Sequence, residues 1–301
     1  MKIDLLFKFP FRFLYLVIWG YALFSMVFYL FIPLEVRQWS YLISIRIAAF
    51  IIPFTVGYLH LKQLFSDRNY LLIMGLFPFA LLPFLYTETS WLNQWNPVFY
   101  DSMVATWDQY LFGFQPAVMF SEVLSQAWFN ELMCLSYIFY YILSFGLPVL
   151  AWRLKPEYFA KTVYFQILGF LIYYLVFLFF PVAGPQFYFP YPENTLASAG
   201  IFNAVLQAIH HFGEGPTGAF PSSHVGIALV NLMLIFQISK RFFGWILIPT
   251  LMLMASTVYI KAHYAVDVVA GLLSGILIYW LVNLFIKNII QSDLWLLKLE
   301  R

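Results

Sequence analysis

Two short stretches hold most of the side chains in this sequence that suit acid–base or nucleophilic chemistry. The first is Phe220-Pro221-Ser222-Ser223-His224; the second runs from Ser256 and Thr257 through Lys261 and His263 to Asp267. His263 and Asp267 are spaced i, i+4, which makes them neighbours on one helical face. A carboxylate beside one ring nitrogen fixes the histidine tautomer and leaves the other nitrogen to attack an electrophile such as phosphorus. His224 follows a proline that suits a helix start, where it is placed to give a proton to a leaving oxygen. Ser222 and Ser223 serve as caps there, and the open amides of a helix start attract phosphate. Lys261 offers positive charge to phosphoryl oxygens, and Thr257, one turn earlier, a hydroxyl. Taken alone, the first stretch reads equally as a capped helix with an interfacial histidine. Joined to the second, it reads as half of a phosphate site.

What joins them is an apolar hairpin, residues 225–238 and 242–259, turned by Ser239-Lys240-Arg241. An outgoing and a returning membrane helix bring both motifs to one face of a bilayer. The rest of the chain fits that setting, with 63% hydrophobic and only 10% charged residues, a balance that excludes an ordinary soluble domain. About eight runs are long enough for a hydrocarbon core of about 30 Å: 13–33, 41–60, 70–86, 132–152, 160–182, 223–238, 242–259 and 266–286. The expected class is therefore an all-α integral membrane protein. The first run follows a basic start and is longer than a secretory signal, so it is read as an uncleaved span.

Lysine and arginine fall in alternate connections, and the long segments 87–131 and 183–222 contain none. By the positive-inside rule both termini are cytoplasmic, and the site lies on the outer face, periplasmic or luminal. Arg37, Arg46 and Lys261 break the pattern. Arg46 lies inside the second run, either as a ligand for phosphate or snorkelling to the outer interface. Asp101 and Asp108, at i, i+7 among several tryptophans, are expected on the solvated face of an interfacial helix. Tyr259 and Tyr264 suit belt aromatics and ligands equally. His210, His211 and Glu214 read as a solvated loop rather than a metal site, because adjacent histidines point to different helix faces. Residues 195–211 form an amphipathic helix able to lie on the membrane.

The order Pro221-Ser222-Ser223-His224, hairpin, then Ser256-Thr257-Val258-Tyr259-Ile260-Lys261-Ala262-His263-Tyr264-Ala265-Val266-Asp267 resembles the second and third signature motifs of the type 2 phosphatidic acid phosphatase superfamily. Within it the chain looks most like the inositol phosphorylceramide synthase branch. The resemblance covers residues 70–286, implying a six-helix phosphatase-like core in 70–301 and two N-terminal spans, in 1–69, outside it. It further implies that His263 attacks phosphorus, Asp267 orients it, His224 protonates the leaving alcohol, and neither a metal nor another cofactor is needed. The chain departs from the family in two places. Thr257 stands where arginine is common, and the basic first motif is absent; after the fifth run stands Pro181-Val182-Ala183-Gly184-Pro185-Gln186, where the Gln186 amide is the available donor.

The implied reaction is attack on a lipid phosphate ester or diester, with release to water (a phosphatase) or to a lipid alcohol (a head-group transferase). The branch resemblance leans toward transfer. The implied partners are membrane lipids; a formal net charge of +2 marks no nucleic-acid surface. The rival reading, a lipid transporter or non-catalytic scaffold, expects polar groups near the midplane of several spans, whereas here they gather at one interface.

Overall fold

Polar residues placed just ahead of the apolar runs decide where the helices begin. In the computed structural model, which describes residues 11–32, 35–95, 98–196, 200–213 and 215–290, the runs become helices α1 (Arg12–Phe28), α2 (Val36–Leu61), α3 (Asp67–Leu92), α6 (Ala127–Leu154), α7 (Phe159–Phe179), α10 (Ser223–Ile238), α11 (Lys240–Tyr259) and α12 (Ala265–Ile290). Shorter helices α4 (Asp101–Phe112), α5 (Pro116–Val123), α8 (Pro185–Tyr188) and α9 (Ile201–Gly213) fill the two long connections. Glu35 and Gln38 close a capping box on α2, while Ser66 and Ser239 accept the Asn69 and Phe242 amides opening α3 and α11. Each cap satisfies a donor that the helix itself leaves open.

Among the described residues seven helices are long and apolar enough to cross a membrane; α10, with 16 residues, is the shorter exception among the expected spans. It is packed among α6, α7, α11 and α12. Its contact with α12 is close because both helices present glycine. A Cβ on Gly275 would stand 2.8 Å from the Gly226 carbonyl, and one on Gly271 would stand 2.7 Å from the Ser222 carbonyl. Small residues let two membrane helices approach at backbone distance. That approach fixes the helix that carries His224 against the helix that carries Asp267.

The outward faces of α1, α2, α11 and α12 remain apolar, with Leu23, Ile47, Trp245, Ile248, Leu273 and Trp280 all exposed. Such faces suit hydrocarbon. At one end of the bundle Lys155 and Lys161 reach the Gln237 carbonyl and side chain, at 2.8 and 2.7 Å. Both chemical motifs lie at the opposite end.

Candidate active site

The site forms where α10 begins, where α11 ends and where α12 begins. Ser222 caps α10 by accepting the Val225 amide at 3.3 Å, and its own amide donates to the Asp267 carbonyl at 3.1 Å. The turn from α11 to α12 is tied by the His263 amide donating to the Thr257 carbonyl at 3.0 Å. Lys261, in that turn, adopts a left-handed backbone with φ of 66°. This conformation is uncommon for a residue with a side chain; here the Gln186 backbone N–H donates to the Lys261 carbonyl at 2.9 Å.

The three residues expected to do chemistry come together. His263 Nε2 faces His224 Nδ1 at 3.2 Å. His263 Nδ1 lies 2.7 Å from the Ala219 carbonyl and 3.5 Å from Asp267 Oδ2. A carbonyl oxygen only accepts, so Nδ1 carries the proton and Nε2 is the nitrogen left with a lone pair. The nearer tautomer-fixing group is therefore a backbone carbonyl, not Asp267. The Asp267 carboxylate is fully buried; one oxygen accepts the Tyr264 amide at 2.8 Å, and the other has no hydrogen-bond partner. Its Oδ2 faces the protonated edge of the His263 ring.

His224 is sandwiched by aromatic rings. Its Nε2 meets the Tyr137 hydroxyl at 2.9 Å, and its ring lies 4.3 Å from that of Tyr140. With Ser223 it closes one end of a cavity of about 180 Å³ lined mainly by aromatic and aliphatic side chains of α3, α6 and α7, among them Phe79, Leu82, Phe145 and Phe170. Along its axis α10, with 16 residues, spans about 24 Å, shorter than an apolar core of about 30 Å.

The expected cations are placed otherwise. Arg46 neither reaches the histidines nor snorkels. It is buried, with its two terminal nitrogens 2.7 and 2.8 Å from the Glu88 carboxylate and a further contact of 2.7 Å to Ser25 Oγ. A charge inside a bundle needs an opposite charge, and this bidentate pair joins α1, α2 and α3. Lys261 is buried too; its ammonium donates to the Thr195 carbonyl at 2.5 Å. Burial pulls the Lys261 ammonium below its usual range, and the Glu122 carboxylate partly offsets this. The Thr257 hydroxyl donates back to the Met254 carbonyl at 2.7 Å, inside its own helix. The Arg37 and His211 side chains and Glu214 lie outside the described residues.

Asp101 and Asp108 correct the expectation of a solvated face. Both are buried. Asp101 accepts the Ala183 and Gly184 amides, each at 2.8 Å, and the Tyr264 hydroxyl at 3.0 Å. Asp108 accepts the Ala265 and Val266 amides at 2.9 and 2.8 Å, capping α12 from another helix. Burial pushes the Asp108 carboxyl up, and those two amides pull it back. Burial and the nearby Asp101 carboxylate push the Tyr264 phenol far above its usual value. Tyr264 is thus an anchor, and so is Tyr259, whose hydroxyl donates to the Leu124 carbonyl at 2.7 Å. Two unpaired-looking carboxylates in a stretch without cations were the available sign that something inside needed acceptors.

The amphipathic α9 lies against α6, with Ile201 exposed and Leu206 buried; Glu131 accepts its Phe202 and Asn203 amides at 2.8 and 3.0 Å. Its Ile209 lines the cavity, and His210 stands edge-on to Tyr137 at 5.9 Å. Among the described residues no group of three or more His, Cys, Asp or Glu side chains is arranged to hold a metal.

A profile of the PAP2 superfamily matches residues 102–281. The chain is also 26% identical over 165 residues to a PA-phosphatase related-family protein of Dictyostelium discoideum, a match covering 48% of this chain and 30% of that relative's length. No solved structure matches it. The profile takes in more than half of the chain, from α4 through both histidine motifs into α12, and so includes every element that builds the two-histidine site. By that match the chain belongs to the PAP2 superfamily.

Proposed function

We propose that this protein is a membrane lipid phosphoesterase that works through a phosphohistidine on His263 and passes a phosphorylated head group from a phospholipid to a lipid alcohol. The observation carrying this reading is the 3.2 Å approach of His263 Nε2 to His224 Nδ1 at the end of an apolar cavity. A phosphoryl group enters between the rings, and the His263 Nε2 lone pair forms a bond to phosphorus as the bond to the leaving oxygen breaks. His224, entering as the doubly protonated ring, gives its Nδ1 proton to that oxygen. Asp267 offsets the positive charge that develops on His263. The amides opening α10, framed by Ser222 and Ser223, hold the phosphoryl oxygens. In the second half the acceptor hydroxyl returns a proton to His224 Nδ1 as its oxygen attacks phosphorus, restoring both rings. The cavity takes apolar chain.

The charge balance supports a diester donor. Lys261 and Arg46 are both engaged by other groups, so fixed positive charge around the phosphate is even scarcer than the sequence suggests. A monoester dianion needs more compensating charge than a diester monoanion. Hydrolysis by water is the second reading, and the name of the relative favours it, since it is described as related to PA-phosphatases. Purified protein given a labelled phospholipid, with and without diacylglycerol or ceramide, separates them. Transfer yields a new labelled phospholipid that depends on the added alcohol. Free phosphate alone, released from monoesters across broad donor and acceptor panels, establishes the phosphatase instead.

The orientation belongs to the same proposal: both termini cytoplasmic and the site on the outer face, because residues 87–131 and 183–222 carry no lysine or arginine. Cysteines at the exposed positions Tyr110 and Glu193, in a Cys134→Ser background, are expected to react with an impermeant thiol reagent in intact cells. Labelling only after membranes are opened reverses the assignment.

A further inference from the structure

One hydrogen-bonding contact of the two histidines comes from a helix that carries neither motif. The Tyr137 hydroxyl, on α6, touches His224 Nε2 at 2.9 Å, 87 residues away in the chain. Its meaning follows from where protons must be. The Ala219 carbonyl accepts only, so a neutral His263 keeps its proton on Nδ1 and presents a bare Nε2. The 3.2 Å contact between rings then has a proton only if His224 carries it on Nδ1. A neutral His224 protonated there has a bare Nε2, and the group facing that nitrogen must donate. Tyr137 has the hydroxyl to do so. With both rings neutral, one assignment satisfies these three contacts: Tyr137 Oη–H to His224 Nε2, His224 Nδ1–H to His263 Nε2, His263 Nδ1–H to the Ala219 carbonyl.

We infer that Tyr137 is a positioning residue for phosphoryl transfer, whose hydroxyl holds the proton-transferring nitrogen of His224 toward His263 through both protonation states of the ring. A hydroxyl is suited to this because it both donates and accepts. It donates to Nε2 of the neutral resting ring; when that nitrogen takes a proton from water as the anionic substrate binds, to be released again as product leaves, the hydroxyl turns to accept Nε2–H. Nδ1 is left free to give its proton to the leaving oxygen and to take one back from the acceptor. No net proton is lost in the cycle. The setting keeps the hydroxyl in place, since Tyr137 is fully buried, with its ring 4.8 Å from that of His224. The inference rests on the two-histidine mechanism proposed above.

The test compares leaving groups. Two diesters sharing one long alkyl chain are used, one with a p-nitrophenyl group and one with a simple alkanol in its place. Nitrophenolate departs without a proton, whereas an alkoxide needs one. Tyr137→Phe, which keeps the ring, is expected to lower kcat on the dialkyl substrate by about 10- to 100-fold, within the range general acids contribute. On the p-nitrophenyl substrate the expected loss is below about 3-fold, with little change in KM on either. His224→Ala should show the same selectivity with a larger loss. Equal losses on both substrates in Tyr137→Phe, or none, overturn the positioning role. Wild-type protein inert on both, or His224→Ala fully active on both, sinks the two-histidine mechanism itself. A measurement on unmodified protein guards against a variant that folds poorly. With five histidines in the chain, ¹⁵N-imidazole signals are few enough to assign. Resting His224 is expected to carry its proton on Nδ1, and a proton on Nε2 instead rules the inference out.

Discussion

His263→Ala is expected to abolish turnover while the protein still inserts and folds, with a loss on the order of 10⁴- to 10⁶-fold, the scale seen when a nucleophile is removed from a group acting as a unit. The ring contributes an unprotonated Nε2 to the pocket, 3.2 Å from His224 Nδ1. His224→Ala should cost about 10²- to 10⁴-fold, because it removes proton transfer but leaves the attacking nitrogen. The double variant should be little worse than His263→Ala. Asp267→Asn is the more discriminating change. Were Asp267 the group that sets the tautomer, its amide would allow the wrong nitrogen to face phosphorus. With the Ala219 carbonyl at 2.7 Å doing that, and Asp267 Oδ2 at 3.5 Å, the loss is electrostatic, about 10²- to 10³-fold. Steady-state rates on the substrates of the transfer assay, with thermal unfolding in detergent as a folding control, measure all four. A well-folded His263→Ala protein of wild-type activity ends the phosphohistidine reading.

The second large effect is on stability. Asp101→Ala leaves the Ala183 amide, the Gly184 amide and the Tyr264 hydroxyl facing a space with no acceptor. Each buried group so stranded costs about 1–3 kcal/mol. Together they approach the 5–15 kcal/mol that holds a typical domain folded. Asp101→Asn is expected to rescue little, since an amide offers one oxygen where the carboxylate uses two, and its NH₂ opposes the remaining donor. The expected readout is a large fall in the unfolding temperature together with lost activity. Glu193→Ala, at an exposed position on the same side, is expected to change neither. Asp101→Ala protein with wild-type melting would show that loop 181–184 is held by other contacts.

Much of this molecule follows from the sequence because the membrane permits few solutions. Backbone groups in hydrocarbon must bond within their own segment, so long apolar runs become helices. A hairpin between two motifs then has to bring its ends together, and the i, i+4 spacing has to put Asp267 beside His263. That logic placed His224, His263 and Asp267 without any tertiary information. It could not say what a charged side chain meets when it arrives in the bundle. Arg46 reads from sequence as either a phosphate ligand or a snorkelling side chain, because a charge there demands a partner or water; the partner, Glu88, sits 42 residues away on a separate helix. Asp101 and Asp108 looked solvated because spacing along one helix records a shared face, not what covers it. The 3.2 Å approach of the two rings, the Ala219 carbonyl behind one and the Tyr137 hydroxyl behind the other depend on how helices distant in sequence pack. A backbone carbonyl has no side-chain signature, and one tyrosine among 21 carries none that sets it apart. Residue types and local spacing determined which groups gather at the site; packing alone decided which neighbours their ring nitrogens meet.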